Sequence, residues 1–181
     1  MVVFHLFKKK QNNEANVEKN SGSPDEWFQL GWNYQYGDNG VDKNLQQAIH
    51  WYTKAAKKDH IQAQLNLGVC YATYRDINKM SYWFKKAVEN GLRLPDDHLY
   101  SLLGDLHRKE GNISESLYWY TKGADLNIAE AQYCLFERYT LGDMVQENLK
   151  ISQYFLRKAA ENGYAPALDM MKQLEKKGLL I

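Results

Sequence analysis

A chain of 181 residues that is 44% hydrophobic and 25% charged, with a formal charge of +1, suits one soluble globular domain able to bury most of its apolar surface. Near-neutrality argues against a nucleic-acid partner, whose electrostatic footprint is a basic stripe or a domain of pI above about 9. Residues 1–24 carry four lysines and two glutamates, and the remainder balances 19 basic against 20 acidic residues, so net charge does not select a partner.

The apolar start, Met1–Phe7, falls far short of the roughly 20 residues a membrane span needs, and Lys8, Lys9 and Lys10 follow it rather than precede it, the reverse of a secretory signal. Cys70 and Cys134 are far apart in sequence, which does not suit a disulfide framework. A cytoplasmic location is expected, without membrane contact. Residues 8–24, "KKKQNNEANVEKNSGSP", lack hydrophobic periodicity, so residues 1–24 are expected to be a flexible leader and 25–181 the folded domain. Helical patterning predicts helices over 25–36, 44–58, 61–74, 77–90, 97–110, 113–126, 129–141, 147–162 and 165–177.

The first of these contains Trp27, Leu30, Gly31 and Tyr34 in the pattern W-x-x-L-G-x-x-Y. The pattern returns, degraded, as Leu67/Gly68/Tyr71, Leu103/Gly104/His107 and Leu135/Phe136/Tyr139. Each copy is followed by an aromatic residue with small or apolar residues one turn later: Trp51/Ala55/Ala56, Trp83/Ala87/Val88, Trp119/Gly123/Ala124 and Phe155/Ala159/Ala160. Four units of two helices follow. Units one and four join their helices through "YGDNGVDKN" and "TLGDMVQEN", units two and three through the shorter "YRDIN" and "KEGNI". Glycine and Asx residues suit such turns and helix caps. Phe136 stands where glycine is expected, so the fourth pair of helices is expected to be spaced wider there. Ala48, Ser116 and Ser152 share a small-residue slot on the second helices that Met80 fills in unit two. The ninth helix is unpaired. With Pro166 near its start and Leu168, Met171 and Leu174 at helical spacing, it is expected to cap the array.

From Pro24 to Lys177 these motifs resemble the Sel-1-like repeat (SLR) family, a relative of the tetratricopeptide repeats. The resemblance implies an all-α fold, a right-handed α/α superhelix (solenoid) of four helix-turn-helix repeats plus a C-terminal capping helix. It also implies a non-enzymatic protein–protein interaction module, an adaptor or scaffold, taking a protein or peptide partner in its concave groove. Small cytoplasmic members without other domains also resemble bacterial immunity proteins that neutralise a cognate toxin, which is the alternative function.

On each first helix, positions four before, one before and three after the glycine slot share one face. Trp27, Leu30 and Tyr34 are therefore assigned to interhelix packing. The opposite face lines the groove in this family. Its residues are Phe28, Trp32, Gln35 and Tyr36 in unit one, Leu65, Val69, Ala72 and Thr73 in unit two, Ser101, Asp105, Arg108 and Lys109 in unit three, and Tyr133, Glu137, Thr140 and Leu141 in unit four. The partner-binding candidates are Phe28, Trp32, Gln35, Tyr36, Val69, Thr73, Asp105, Arg108, Tyr133 and Glu137. Trp32 and Tyr36 are open to three uses: anchoring a partner, packing on neighbouring helices, or lying beneath the leader.

Other chemistry finds no support. The five histidines show no metal-ligand spacing, and "GDNGVD" lacks the alternating oxygen ligands and closing glutamate of a calcium loop. There is no nucleophile elbow, phosphate-binding glycine loop or catalytic-cysteine context, so no cofactor, metal or catalytic residue is expected. Secreted SLR proteins associated with penicillin binding carry paired cysteines in each repeat, a pattern missing here.

Overall fold

The computed structural model describes residues 22–179. Every regular element among them is a helix: α1 (Pro24–Tyr36), α2 (Leu45–Ala56), α3 (Ile61–Thr73), α4 (Ile77–Glu89), α5 (His98–Lys109), α6 (Ile113–Asp125), α7 (Ala129–Leu141), α8 (Leu149–Glu161) and α9 (Ala165–Lys176). The chain divides into two compact units, residues 1–92 and 93–181. Of the expected leader over 1–24, residues 1–21 lie outside the described residues. Its last two positions belong to the fold: Ser23 closes a capping box with Glu26, and Pro24 opens α1.

In the first unit, α1 pairs with α2 and α3 with α4, and α2 packs on α3. The core is formed by Ala48, Tyr52, Ala55, Ala56, Ala63, Leu67 and Cys70, with Trp27, Tyr34 and Trp83 against its rim. The pairing depends on missing side chains. A Cβ at Gly31 would meet the Tyr52 ring at 2.5 Å, and one at Gly68 would run into Phe84. The ring of the second helix thus lies directly on the backbone of the first, which only glycine allows.

In the second unit α5 pairs with α6, α7 with α8, and α9 packs on α8. Tyr120 lies on Gly104 in the same way, and the Ser116 hydroxyl donates to the Gly104 carbonyl at 2.7 Å. The α7/α8 pair inverts the arrangement. Phe136 supplies the ring from the first helix, and Leu156 stands at the position of Tyr52, Phe84 and Tyr120; both are buried. Ala48, Ser116 and Ser152 are buried as expected, whereas in α4 the buried small residue is Ser81 and Met80 is half-buried.

One correction concerns α9. Leu168 is 41% exposed, and the residue that enters the core is Ala167, with Met170, Met171 and Leu174 packed beside Phe136, Leu156 and Ala159. Met171 and Leu174 bury as expected; Ala167, not Leu168, completes the buried face.

A buried amide pair occurs once in each unit. Gln64 Nε2 donates to the Ala56 carbonyl at 3.2 Å while its Oε1 accepts from Asn90 at 3.0 Å. Gln132 repeats this with Ala124 at 3.3 Å and Asn162 at 2.9 Å. Each glutamine joins the end of one helix pair to the end of the next, with its polar atoms partnered inside the core.

Candidate functional site

In the first unit the candidate face is an aromatic ladder on α1. Phe28 and Trp32 have ring centroids 6.3 Å apart, and Trp32 and Tyr36 are 4.5 Å apart. The ladder is fixed from behind. Phe28 stacks on His60 at 4.7 Å and touches the Tyr52 ring at 5.7 Å. His60 is itself held, its Nδ1 accepting from the Ala63 N–H and its Nε2 bonded to Asp25, both at 3.1 Å. The ladder opens outward along the helix: Phe28 is half-buried, whereas Trp32 is 37% and Tyr36 54% exposed. Gln35 is half-buried and accepts the Tyr52 hydroxyl at 2.6 Å, so its carbonyl is committed to the fold. At the matching register on α3, Val69 and Thr73 are exposed, and the Thr73 hydroxyl donates to the Cys70 carbonyl. The ring under α3 is Phe84, which has no hydroxyl to satisfy, and the α3 face carries Leu65, Val69 and Ala72 instead of a Gln35 equivalent.

The face in the second unit is ionic. Asp105 accepts the Tyr120 hydroxyl at 2.6 Å and lies 3.8 Å from Arg108. Arg108 approaches Asp143 at 3.7 Å. Asp143 also accepts from Arg138 at 2.6 Å, and Arg138 reaches Glu137 at 3.2 Å. Asp143 therefore joins the candidates of α5 to those of α7. Tyr133 is half-buried against Phe136 and Tyr164, at 5.1 and 5.3 Å, and its ring serves packing. Ser101, expected on this face, is buried.

Arg138 and Asp143 were missed by sequence reasoning, yet a signal exists. Two residues after the glycine slot stand Asn33, Cys70, Leu106 and Arg138. The two polar ones occur in the two helix pairs with long turns, and each holds its turn. Asn33 Oδ1 accepts from Asn39 at 3.0 Å, and Arg138 binds Asp143. In both pairs the second helix's cap residue also bonds back to the first helix, Asn44 N–H to the Tyr34 carbonyl and Asn148 N–H to the Tyr139 carbonyl.

The thiols offer no nucleophile at neutral pH. Burial pushes Cys70 up to about 11 and Cys134 up to about 12, so the reactive thiolate is scarce. Among the described residues, no three of His, Cys, Asp and Glu gather as metal ligands, and no helix is long and apolar enough to cross a membrane.

The sequence profile described as Sel1 repeat matches residues 28–60, 61–73, 81–92, 100–128 and 129–164. The chain belongs to the Sel1 repeat family. Its fold is similar to a protective antigen of uropathogenic Escherichia coli strains displaying an SLR fold, with 26% identity and a TM-score of 0.60 over 97% of this chain and 37% of that one. It is also similar to a Sel1 repeat protein from Oxalobacter formigenes, with 27% identity and a TM-score of 0.57 over 83% of this chain and 44% of that one. The match thus covers less than half the length of either relative. The fold is an all-α repeat of the superhelical class. Sel1 repeats are in general protein–protein interaction modules and typically non-enzymatic scaffolds.

Proposed function

We propose that this Sel1 repeat chain is an adaptor or scaffold that captures a protein partner on the first-helix face of its first unit, with Trp32 and Tyr36 as anchors. The observation that carries this reading is the ladder itself: two contacting rings, 37% and 54% exposed, backed by a third that His60 holds in place. Aromatic anchors dominate interface energetics, and rings already fixed on a helix lose little freedom when a partner covers them. The linked charges of the second unit supply recognition of a different kind, since exposed ion pairs act more on association rate and selectivity than on affinity.

The test is affinity capture with mass spectrometry, comparing the wild-type chain with the Trp32→Ala/Tyr36→Ala variant. The expected result is a weakening of about 2 kcal/mol or more, roughly thirtyfold, with unchanged helical content. Full-affinity capture by the folded variant would refute this site and turn attention to the second helices, where Tyr82 and Tyr154 are 53% and 56% exposed. Recovery of a toxin at equal stoichiometry would assign the captured activity to neutralisation rather than scaffolding.

A further inference from the structure

The aromatic ladder has a candidate occupant within its own chain. Outside the described residues lies Met1–Phe7, "MVVFHLF", apolar at every position except His5. Lys8–Lys10 follow it directly, and the stretch from Lys8 to Gly22 contains only Ala15 and Val17 as apolar side chains beyond its glycine. We propose that Met1–Phe7 docks in cis on the Trp32/Tyr36 face of α1 and competes there with a partner. The inference shares its surface with the proposed function but needs no partner to be tested.

Reach, chemistry and charge argue together. At 1.5 Å per residue, Trp32 and Tyr36 lie about 12 and 18 Å along α1 from Pro24. The roughly 15 residues from Lys8 to Gly22 can span up to about 50 Å, so the segment reaches the ladder with length to spare. Tethering at this separation gives an effective concentration in the millimolar range, enough for a short apolar segment of modest intrinsic affinity to occupy the site. The surface is of the right kind: two exposed rings on α1, with Val69 exposed at the same register on α3. Acidic residues stand at both ends of α1. Asp25, its side chain 91% exposed, and Glu26 lie in the first turn, and Asp38 and Asp42 lie just beyond Gly37. A lysine triplet following the docked segment meets a carboxylate in either chain direction.

The test uses the full chain and its Phe4→Asp/Leu6→Asp variant. The Trp32 indole N–H resonance is assigned in 15N-labelled protein through Trp32→Phe. Docking predicts that this resonance shifts in the Asp variant and that its solvent exchange accelerates about fivefold or more. A synthetic peptide of residues 1–10 added to the Asp variant should restore the wild-type position. The same peptide should give no binding heat with the Asp variant that also carries Trp32→Ala/Tyr36→Ala. An identical Trp32 resonance in both chains, or peptide binding indifferent to the ladder, would overturn the proposal. A concentration-dependent shift with dimers in sedimentation would overturn its cis form. Once a partner is captured, Phe4→Asp/Leu6→Asp should tighten its binding about tenfold; unchanged affinity despite a shifted Trp32 resonance would remove the competition. None of the resonance or peptide readings involves the partner, so a failure of partner capture is distinguishable from a failure of docking.

Discussion

A methyl group at Gly31 would fall 2.5 Å from the Tyr52 ring, and that ring cannot retreat. Tyr52 is fully buried and its hydroxyl is held by Gln35 at 2.6 Å. Two effects compete in Gly31→Ala: alanine favours the helix by about 1 kcal/mol, and overpacking costs about 1–3 kcal/mol. The steric effect should win, lowering stability by about 1–2 kcal/mol in urea denaturation. In a double-mutant cycle Gly31→Ala should cost less in the Tyr52→Leu background than in the wild type, since the added methyl no longer meets a ring. A stabilised Gly31→Ala would show that the pairing relaxes more easily than its geometry implies. The same scale shows which candidates are free to bind. Trp32 and Tyr36 can change without disturbing a neighbour's hydrogen bond, whereas Gln35 and Asp105 satisfy buried tyrosine hydroxyls.

At the scale of elements, α9 separates two readings that differ by one residue. Ala167 is fully buried and Leu168 is 41% exposed. Ala167→Leu should therefore cost about 1–3 kcal/mol, while Leu168→Ala should stay within about 0.5 kcal/mol; urea midpoints of the two variants decide. The reverse order would restore the face expected from spacing alone. Why spacing failed there is instructive. Leu168, Met171 and Leu174 form a good helical stripe, but Met170 and Met171 are adjacent and both pack inward, so the stripe could be drawn through either neighbour. The other helices were legible because glycine and aromatic residues recur in register, although Asn44 and Asn148, expected inside their helices, stand outside them as side-chain caps. The candidate site was legible where exposure follows from the helical period, as at Trp32, Tyr36 and Val69. It was obscured where a partner lies far along the chain: Asp105 under Tyr120, Phe28 on His60, and Arg108 linked through Asp143.

Across the whole molecule, buried acids that hold their protons make folding sensitive to alkali. Burial raises Cys70 from 9.0 to about 11 and Cys134 to about 12, and raises the phenols of Tyr52 and Tyr120 above 10.0. Above pH 9 the unfolded chain releases protons that the folded chain retains, so stability falls as pH rises. These groups favour the fold fully below about pH 8; the loss begins near pH 9 and runs to about 11 for Cys70 and about 12 for Cys134, with the phenols following above pH 10. Cys70 alone accounts for up to about 3 kcal/mol at the upper end. His98 acts in a lower window: its hydrogen bond to Glu130 raises it above 6.5, so its contribution is full below 6.5 and is lost as pH rises through the raised value. Urea midpoints should decline steadily from pH 8.5 to 11, and Cys70→Ala should flatten that decline; a level profile would contradict the burial of these groups. The exchange of ring and leucine between Phe136 and Leu156 carries a consequence for how such arrays are inherited and rearranged. Each first helix is matched to its own second helix, so recombination inside a pair is punished. Grafting α6 after α7 would set Tyr120 against Phe136, two rings in the space of one, and grafting α8 after α5 would leave Gly104 facing leucine with a void between them. Duplication and shuffling are tolerated only when the crossover falls between pairs, which makes the pair the smallest exchangeable module of this chain.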